Sequence, residues 1–341
     1  MFRVISFAFS VVLAGAVPMP SRAAEVDNLL PKETEFVVQF NIQQLVESDI
    51  VKKNYLPQFQ KGFETKEAQK FLTAIGLDPF RDIEKMTIGL WGKPSEKMNA
   101  VLVIRGKFDI KKMSETADSY AIDKPDLVSR VQEGEINLIE FKSDKENTNY
   151  IALIDGKPII AGSDKKLVAA AAAVEDRAKP ALSRELQALV LKQDAKASIF
   201  LCGFTGDKFT EIPDDWAPLK NFGIDGDKIK AGFLKMKSFG LTVNFGKEAV
   251  VNAKMGMKDP DSADDFSAEF GKLANAAKLF LPVITASSPE NAGLIEDVSK
   301  TLATSSKGND VTLSLKISAD AIEKSIPVPK EKDKGKEDKD K

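Results

Sequence analysis

The sequence predicts an α+β fold of two lobes, each a mainly antiparallel sheet with helices packed on one face. Runs rich in β-branched and aromatic residues, joined by tight glycine turns, alternate with amphipathic stretches that carry helix caps. The order of elements in the first half recurs in the second half, which indicates an internal duplication. About 318 residues remain after an N-terminal export signal, more than one small core needs.

The chain opens with the three parts of a secretory signal peptide. Arg3 supplies a basic start, residues 4–17 are mostly apolar, and small residues at Ser21 and Ala23 predict cleavage before Ala24. The apolar run is too short for a membrane-spanning anchor, and no cysteine follows for a lipid anchor. We therefore expect residues 1–23 as signal peptide, 24–180 as lobe 1, 181–326 as lobe 2 and 327–341 as a disordered, charged tail.

In lobe 1, seven runs predict strands, and the turns at Glu133-Gly134 and Asp155-Gly156 join the last four into two hairpins. The predicted strands cover residues 34–41, 85–91, 98–105, 127–132, 136–141, 150–154 and 158–161. The predicted helices cover residues 42–48, 49–63, 64–75, 109–121 and 163–177, and a further helix at 183–193 follows Pro180 at the start of lobe 2. Asp109 is expected to cap the fourth of these helices, and Ser163 with Asp164 the fifth.

In lobe 2, strands are predicted at residues 197–203, 239–245, 249–257 and 311–317. A long helical region opens at Asp261, and a last helix follows Ser318. Residues 205–237 contain Pro213, Pro218 and two glycines without sustained periodicity, which predicts a loop or an extended connector. Because long loops in compact proteins often carry function, Asp214, Asp215 and Trp216 become the candidate exposed cluster.

Composition excludes several classes of chemistry. The chain has 341 residues but no histidine, which removes Ser-His-Asp triads, Cys-His pairs and histidine metal sites. A single cysteine, Cys202, rules out an intramolecular disulfide and is expected to be a buried small hydrophobe. With a net charge of −2 and no basic patch, no nucleic-acid partner is expected.

The remaining motifs fit structural roles better than catalytic ones. Asp214 and Asp215 are adjacent, so on an extended segment they would point apart, whereas a glycosidase needs converging carboxylates. The acidic group at Asp259, Asp261, Asp264 and Asp265 fails the calcium-loop pattern and suits a helix start.

Ser163 and Lys166 form an S-x-x-K pattern without its Ser-Asp-Asn and Lys-Thr-Gly partners, so a helix cap is preferred. Apolar residues around Phe280, in the stretch 273–286, could line a lipid-binding groove. No catalytic, cofactor or metal residue is assigned.

The first hundred residues after the signal resemble uncharacterised secreted bacterial proteins. The matching features are Leu30-Pro31, Thr34, the run 36–40 ending at Asn41, Leu45, Ser48, Gly76-Leu77-Asp78-Pro79 and Asp82-Ile83. The resemblance implies an envelope or secreted location and no assigned activity.

The sequence thus predicts an exported, non-enzymatic binding protein of the bacterial cell envelope, periplasmic or extracellular. It would act through a sheet face or an inter-lobe groove on an unknown envelope macromolecule or small ligand, without a transmembrane anchor after signal cleavage. A carboxylate-dependent glycan hydrolase using Asp214 or Asp215 and an apolar-ligand carrier remain as alternatives.

Overall fold

The computed structural model describes residues 23–92, 98–142, 147–175, 178–206 and 225–326. The α+β class is confirmed, because twelve α-helices in these residues accompany one sheet of twelve antiparallel strands. No helix in the described ranges is both long and apolar enough to cross a membrane. The predicted signal peptide up to residue 22 and the predicted tail 327–341 lie outside the described residues.

Apart from β11 (Ala303–Lys307), the strands follow the predicted positions closely in both halves. They are β1 (Phe36–Asn41), β2 (Ile83–Trp91), β3 (Asn99–Gly106), β4 (Val128–Glu133), β5 (Ile136–Lys142), β6 (Thr148–Ala152), β7 (Ile159–Gly162), β8 (Ile199–Phe204), β9 (Met236–Phe245), β10 (Glu248–Met257), β11 (Ala303–Lys307) and β12 (Asp310–Ser318).

The helices of the described residues lie between the strands in both halves of the chain, with the last one after β12. They are α1 (Ile42–Glu47), α2 (Asp49–Asn54), α3 (Leu56–Gly62), α4 (Lys66–Ile75), α5 (Pro79–Asp82), α6 (Ile110–Asp123), α7 (Lys165–Ala173), α8 (Arg184–Leu191), α9 (Gly226–Lys235), α10 (Pro260–Ser287), α11 (Ala292–Thr301) and α12 (Ala319–Ser325).

The strand order is β11-β12-β10-β9-β8-β1-β2-β3-β7-β6-β5-β4, so one sheet runs through both predicted lobes. They join where β1 pairs with β8, with Val37 opposite Cys202. Counted outward from this pair, the N-terminal half has β1, β2, β3 and β7, and the C-terminal half has β8, β9, β10 and β12. This order agrees with the predicted duplication, but the duplication and the division into lobes stay predictions.

The two faces of the sheet carry different cores. We call the side that bears Val37 and Val103 the strap face, and the side that bears Val38 and Leu102 the roof face. In the N-terminal half the main core lies on the strap face, where α7, α8 and the chain before β1 cover it. In the C-terminal half the cores lie on the roof face beneath α9 to α12.

The chain before β1, residues 24–34, is part of the first core, and we call it the strap. The Ala24 N–H donates to the Gln193 carbonyl over 3.0 Å, and Leu29 and Leu30 are buried. The Asp27 carboxylate, itself largely buried, pairs with the Arg105 guanidinium at 3.0 Å. The strap therefore closes the strap face above β2 and β3.

Several elements differ from the sequence predictions. The predicted connector 205–237 contains α9, which Asp225 caps through the N–H groups of Asp227 and Lys228. Gly232 interrupts the hydrophobic period of the α9 sequence. An added Cβ at this position would lie 2.0 Å from the Phe266 ring, so the glycine permits close packing of α9 on α10. Strand β11 was not predicted, because its sequence shows no hydrophobic alternation, and helix α11 was not separated from the long helical region that opens at Asp261.

The predicted capping by Ser163 is wrong. The Asp164 carboxylate caps α7 by accepting from the N–H groups of Lys166 and Leu167, at 2.8 and 3.1 Å. The Ser163 hydroxyl is buried without a hydrogen-bond partner. Helix α7 also ends at Ala173, earlier than predicted, and the predicted helix 49–63 is divided at Tyr55 into α2 and α3.

Candidate binding surface

The roof face of the N-terminal half is a continuous apolar surface. Its middle row crosses the sheet one residue per strand, because the paired residues of antiparallel strands share a face. The row consists of Leu241, Leu201, Val38, Ile88, Leu102, Ala161, Ile151 and Ile139, from β9 to β5. A parallel row on one side contains Phe36, Leu90 and Ala100, and one on the other contains Phe40, Met86, Ile104 and Ile159.

This surface is only half covered by the described residues. Of the eight side chains in the middle row, Ile139 alone is buried, and the other seven are half-buried. On the opposite side of the same strands, Val37, Val101, Val103 and Ile160 are at most 1% exposed. The N-terminal half of the sheet is therefore apolar on both sides, and one of them is incompletely buried.

Helices α1 to α6 lie on the roof side but pack lightly on the sheet. Ile50 of α2 packs with Val243 of β9 at one end, and at the other end the Arg130 guanidinium of β4 donates to Asp118 of α6 over 2.7 Å. Over the six helices, the buried residues are Ile50, Val51 and Ile75. The helices thus contact each other and the ends of the surface more than its centre.

Contacts among these helices hold them together as a roof. The Thr116 hydroxyl of α6 donates to the Ala74 carbonyl of α4 over 2.9 Å, and the Phe71 and Tyr120 rings lie 5.9 Å apart, edge to face. Large apolar side chains nevertheless remain exposed on this side. They are Phe59, Phe71, Ile122, Leu127 and Phe141, five of the eight exposed large hydrophobic residues found in the described ranges.

In the C-terminal half, helices pack closely on the roof face of the sheet. The middle row continues through Ala253 and Leu313, and Leu313 is 3% exposed beneath Phe266 and Phe270 of α10. The three phenylalanines 233, 266 and 270 form a ring cluster there, with centroids 4.6 to 6.3 Å apart. The same sheet face is therefore closed in one half and half open in the other.

The strap face of the C-terminal half shows the opposite chemistry. Apart from Val250, its side chains on β9, β10 and β12 are polar, as is common for the less covered face of an antiparallel sheet. They include Thr242, Asn244, Asn252, Lys254, Thr312, Ser314 and Lys316. An apolar, half-exposed face is thus peculiar to the N-terminal half of the roof side.

A polar network lies at the β4–β5–β6 edge of the sheet. Burial works to raise the pKa of Glu140, but hydrogen bonds from Ser129 and Lys142 outweigh it and hold the pKa below its usual range. Burial raises the pKa of Tyr150, and the ion pair with Glu133 raises the pKa of Lys165. Each group is held in its resting protonation state, whereas a base or nucleophile needs the reverse shifts.

An open depression of about 500 Å3 lies at the start of α6 beside the β6–β7 turn. Four carboxylates line it, from Asp109, Glu115, Asp118 and Asp155. Asp109 caps α6 through the Lys112 N–H, and Asp118 pairs with Arg130. The described residues hold no cluster of three or more acidic or cysteine side chains arranged for a metal ion.

The candidate residues from the sequence are distributed as follows. Asp214, Asp215 and Trp216 lie outside the described residues, as does the side chain of Phe280 on α10. Asp259 accepts hydrogen bonds from the Ser262 N–H and hydroxyl at the start of α10, which lower its pKa, so its predicted role at a helix start is confirmed. Further along α10, Asp264 accepts from Ser306 and Asp265 lies 3.7 Å from the Lys228 ammonium.

Cys202 is a buried core residue, as predicted. It is 0% exposed within the first core, and burial raises the pKa of its thiol to about 12. A thiol with so high a pKa is almost entirely protonated at neutral pH, and the thiolate is the reactive species. Cys202 is therefore inert in the folded protein.

Comparison with known proteins adds no family. No protein-family model matches the chain, and neither a curated protein nor a solved structure shows significant similarity to it.

Proposed function

We propose that the protein is an exported, non-catalytic binding protein of the bacterial cell envelope, and that it binds through the apolar roof face of its N-terminal half. One observation carries this proposal. Seven of the eight side chains in the middle row stay half-buried, although the row is apolar throughout. Large contiguous apolar surfaces on soluble proteins mark sites for ligands or partners.

Physical chemistry makes an uncovered face of this kind costly to keep. Each fully buried aliphatic side chain stabilises a protein by about 1.5–3 kcal/mol, so half-buried residues leave part of this gain unrealised. In the C-terminal half the gain is realised, because α10 covers Leu313 and its neighbours. An apolar ligand that covers Ile88 and Leu102 would supply the missing burial on binding.

The second candidate function is a carrier for acyl chains. The length of the middle row favours such an elongated apolar ligand. From β1 to β5 the middle row crosses six strands, or about 24 Å at a strand spacing of ~4.8 Å. One leaflet of a bilayer core is about 15 Å thick, so the row is long enough for an acyl chain. The partial roof of α4 and α6 favours a narrow chain over a broad, flat partner.

The glycan hydrolase stays a prediction without support from the described side chains. Asp118, Glu140 and Asp259 have lowered pKa values, and a general acid at neutral pH needs a raised one.

A ligand screen by thermal shift tests the proposal on residues 24–326. Fatty acids, peptidoglycan fragments, glycans and divalent cations are each added at graded concentrations. A ligand at one hundred times its Kd stabilises the folded state by about 2.7 kcal/mol, which raises the Tm by several degrees. We expect a shift with fatty acids.

Two matched variants locate the site of any shift. Leu102→Gln makes the centre of the roof face polar, while Val250→Gln changes an equally half-buried aliphatic residue on the opposite face. The proposal predicts that Leu102→Gln abolishes the shift and Val250→Gln retains it. Equal loss in both variants, or none in either, would place binding elsewhere and refute the assignment.

A further inference from the structure

The predicted cleavage point, between Ala23 and Ala24, coincides with the boundary of the folded core. Ala23 is exposed, whereas Ala24 is 2% exposed. Ala23 pairs with Asp194 in an isolated antiparallel bridge, and the Ala24 N–H donates to the Gln193 carbonyl. The N–H group of the peptide bond between them is therefore held by a hydrogen bond to the chain that follows α8.

Gln193 is itself fixed in this position. It is 8% exposed, and its amide lies flat against Gly240 of β9, where an added Cβ would come within 2.5 Å of the amide nitrogen. The same amide donates to the Leu189 carbonyl over 2.8 Å. The acceptor of the Ala24 N–H is thus part of the packed core and not of a free loop.

The strap after Ala24 anchors the bond more strongly than the bridge alone. Leu29 and Leu30 are 5% and 1% exposed in the first core, and Asp27 pairs with Arg105. Thr34 packs directly over Gly89, whose ideal Cβ position lies 2.7 Å from the Thr34 hydroxyl oxygen. Freeing the strap requires exposing both leucines, which makes the open state rarer by a factor on the order of 100 or more.

We propose that the Ala23–Ala24 bond is a processing site which the finished fold closes, so that a signal peptidase must hydrolyse it before the strap docks. Water adds across the bond, Ala23 leaves with the new carboxylate, and Ala24 keeps the new amino group. A peptidase needs several residues on both sides free of the fold, and here the residues after the bond are buried. Completion of the first core then follows cleavage.

The inference depends on the export signal that is also part of the proposed function, but not on the apolar roof face. It makes residues 24–34 a segment that must remain undocked during export and that completes the core afterwards.

The test measures cleavage against folding time in the full chain. Residues 1–341 are unfolded in urea and diluted into buffer, and a purified type I signal peptidase is added after increasing delays. Mass spectrometry then gives the yield of chains that begin at Ala24. Reaction of Cys202 with a thiol reagent follows the formation of the first core in the same samples, because Cys202 belongs to that core.

The expected yield falls at least about tenfold as the delay lengthens, with the same time course as the protection of Cys202. Leu30→Asp, which keeps the strap from docking, should be cleaved at all delays, and Leu191→Asp, at a residue 50% exposed, should behave like the wild type. A wild-type yield that does not depend on the delay would show that the folded protein leaves the Ala23–Ala24 bond accessible, which would overturn the proposal. Chains isolated from cells with residues 1–23 still attached would show that the Ala23–Ala24 bond is not a processing site. Neither result bears on binding at the roof face.

Discussion

Because the roof face is only partly covered, we predict that truncating two neighbouring residues of β3 has unequal effects on stability. Val103 on the strap face is 0% exposed, whereas Leu102 on the roof face is half-buried. Val103→Ala removes two methyl groups, worth about 1.6 kcal/mol of burial, and leaves a closed cavity, for a total cost of about 2–3 kcal/mol. Leu102→Ala removes three carbons, but because Leu102 is only partly buried it should cost only about 1.5 kcal/mol and leave no closed cavity.

The larger truncation should therefore destabilise the protein less than the smaller one. Equilibrium urea unfolding of residues 24–326, followed by circular dichroism and by tryptophan fluorescence, gives both free energies of unfolding, provided that the two probes coincide. If Leu102→Ala costs as much as Val103→Ala or more, the roof face is covered in solution. The reasoning that makes it a binding surface would then be refuted.

Three further predictions concern other parts of the fold. The Cys202 thiol, with a pKa of about 12, should react with a thiol reagent at pH 8 only as fast as the protein unfolds; rapid labelling of the native state would contradict its burial. Because hydrogen bonds from Ser262 lower the pKa of Asp259, this group stabilises the fold above its unfolded pKa of about 3.8, and the contribution is lost as the pH falls through the lower, folded-state pKa. Ser262→Ala should accordingly destabilise the protein at pH 6 and make little difference at pH 2, in paired urea titrations; an equal loss at both values would exclude this linkage. Gly232→Ala should destabilise by about 1–3 kcal/mol despite the better helix propensity of alanine, because the added methyl group meets the Phe266 ring, and Gly271→Ala, which has room on α10, should be neutral or stabilising by up to about 1 kcal/mol. Thermal unfolding of both variants tests this difference. Equal changes in Tm would contradict it and show that the α9–α10 contact adjusts to the added methyl group.

Local patterns were sufficient to predict most strands and many helix starts. Asp109 caps α6 as expected, and the glycines at 134 and 156 have the positive φ angles of 58° and 71° that their hairpin turns require. These features depend on neighbouring residues and are visible in any short window. The sequence of β11 lacks hydrophobic alternation, although β11 pairs with β12 next to it in the chain, and Gly232 of α9 packs against Phe266, which lies far from it in the sequence.

The candidate surface was only partly predictable. A sheet face was expected to bind, but which face depends on long-range pairing that brings β1, β2, β3 and β7 together. One signal was present in the sequence, since residues 100–104 are apolar at both odd and even positions, as are residues 36–40 apart from Gln39. Such runs are typical of strands covered on both sides, and only the structure shows that one of the two covers is incomplete.

The proposed function requires that an apolar surface on the folded protein is accessible and lies on the roof face. Titration of the native protein with the dye 1-anilinonaphthalene-8-sulfonate, which fluoresces on exposed apolar surface, tests it most directly. We predict saturable binding by the wild type and by Val250→Gln, with affinity about tenfold weaker in Leu102→Gln, since a half-buried leucine contributes roughly 1.4 kcal/mol. Native protein that does not bind the dye, or binds it equally in both variants, would contradict the claim.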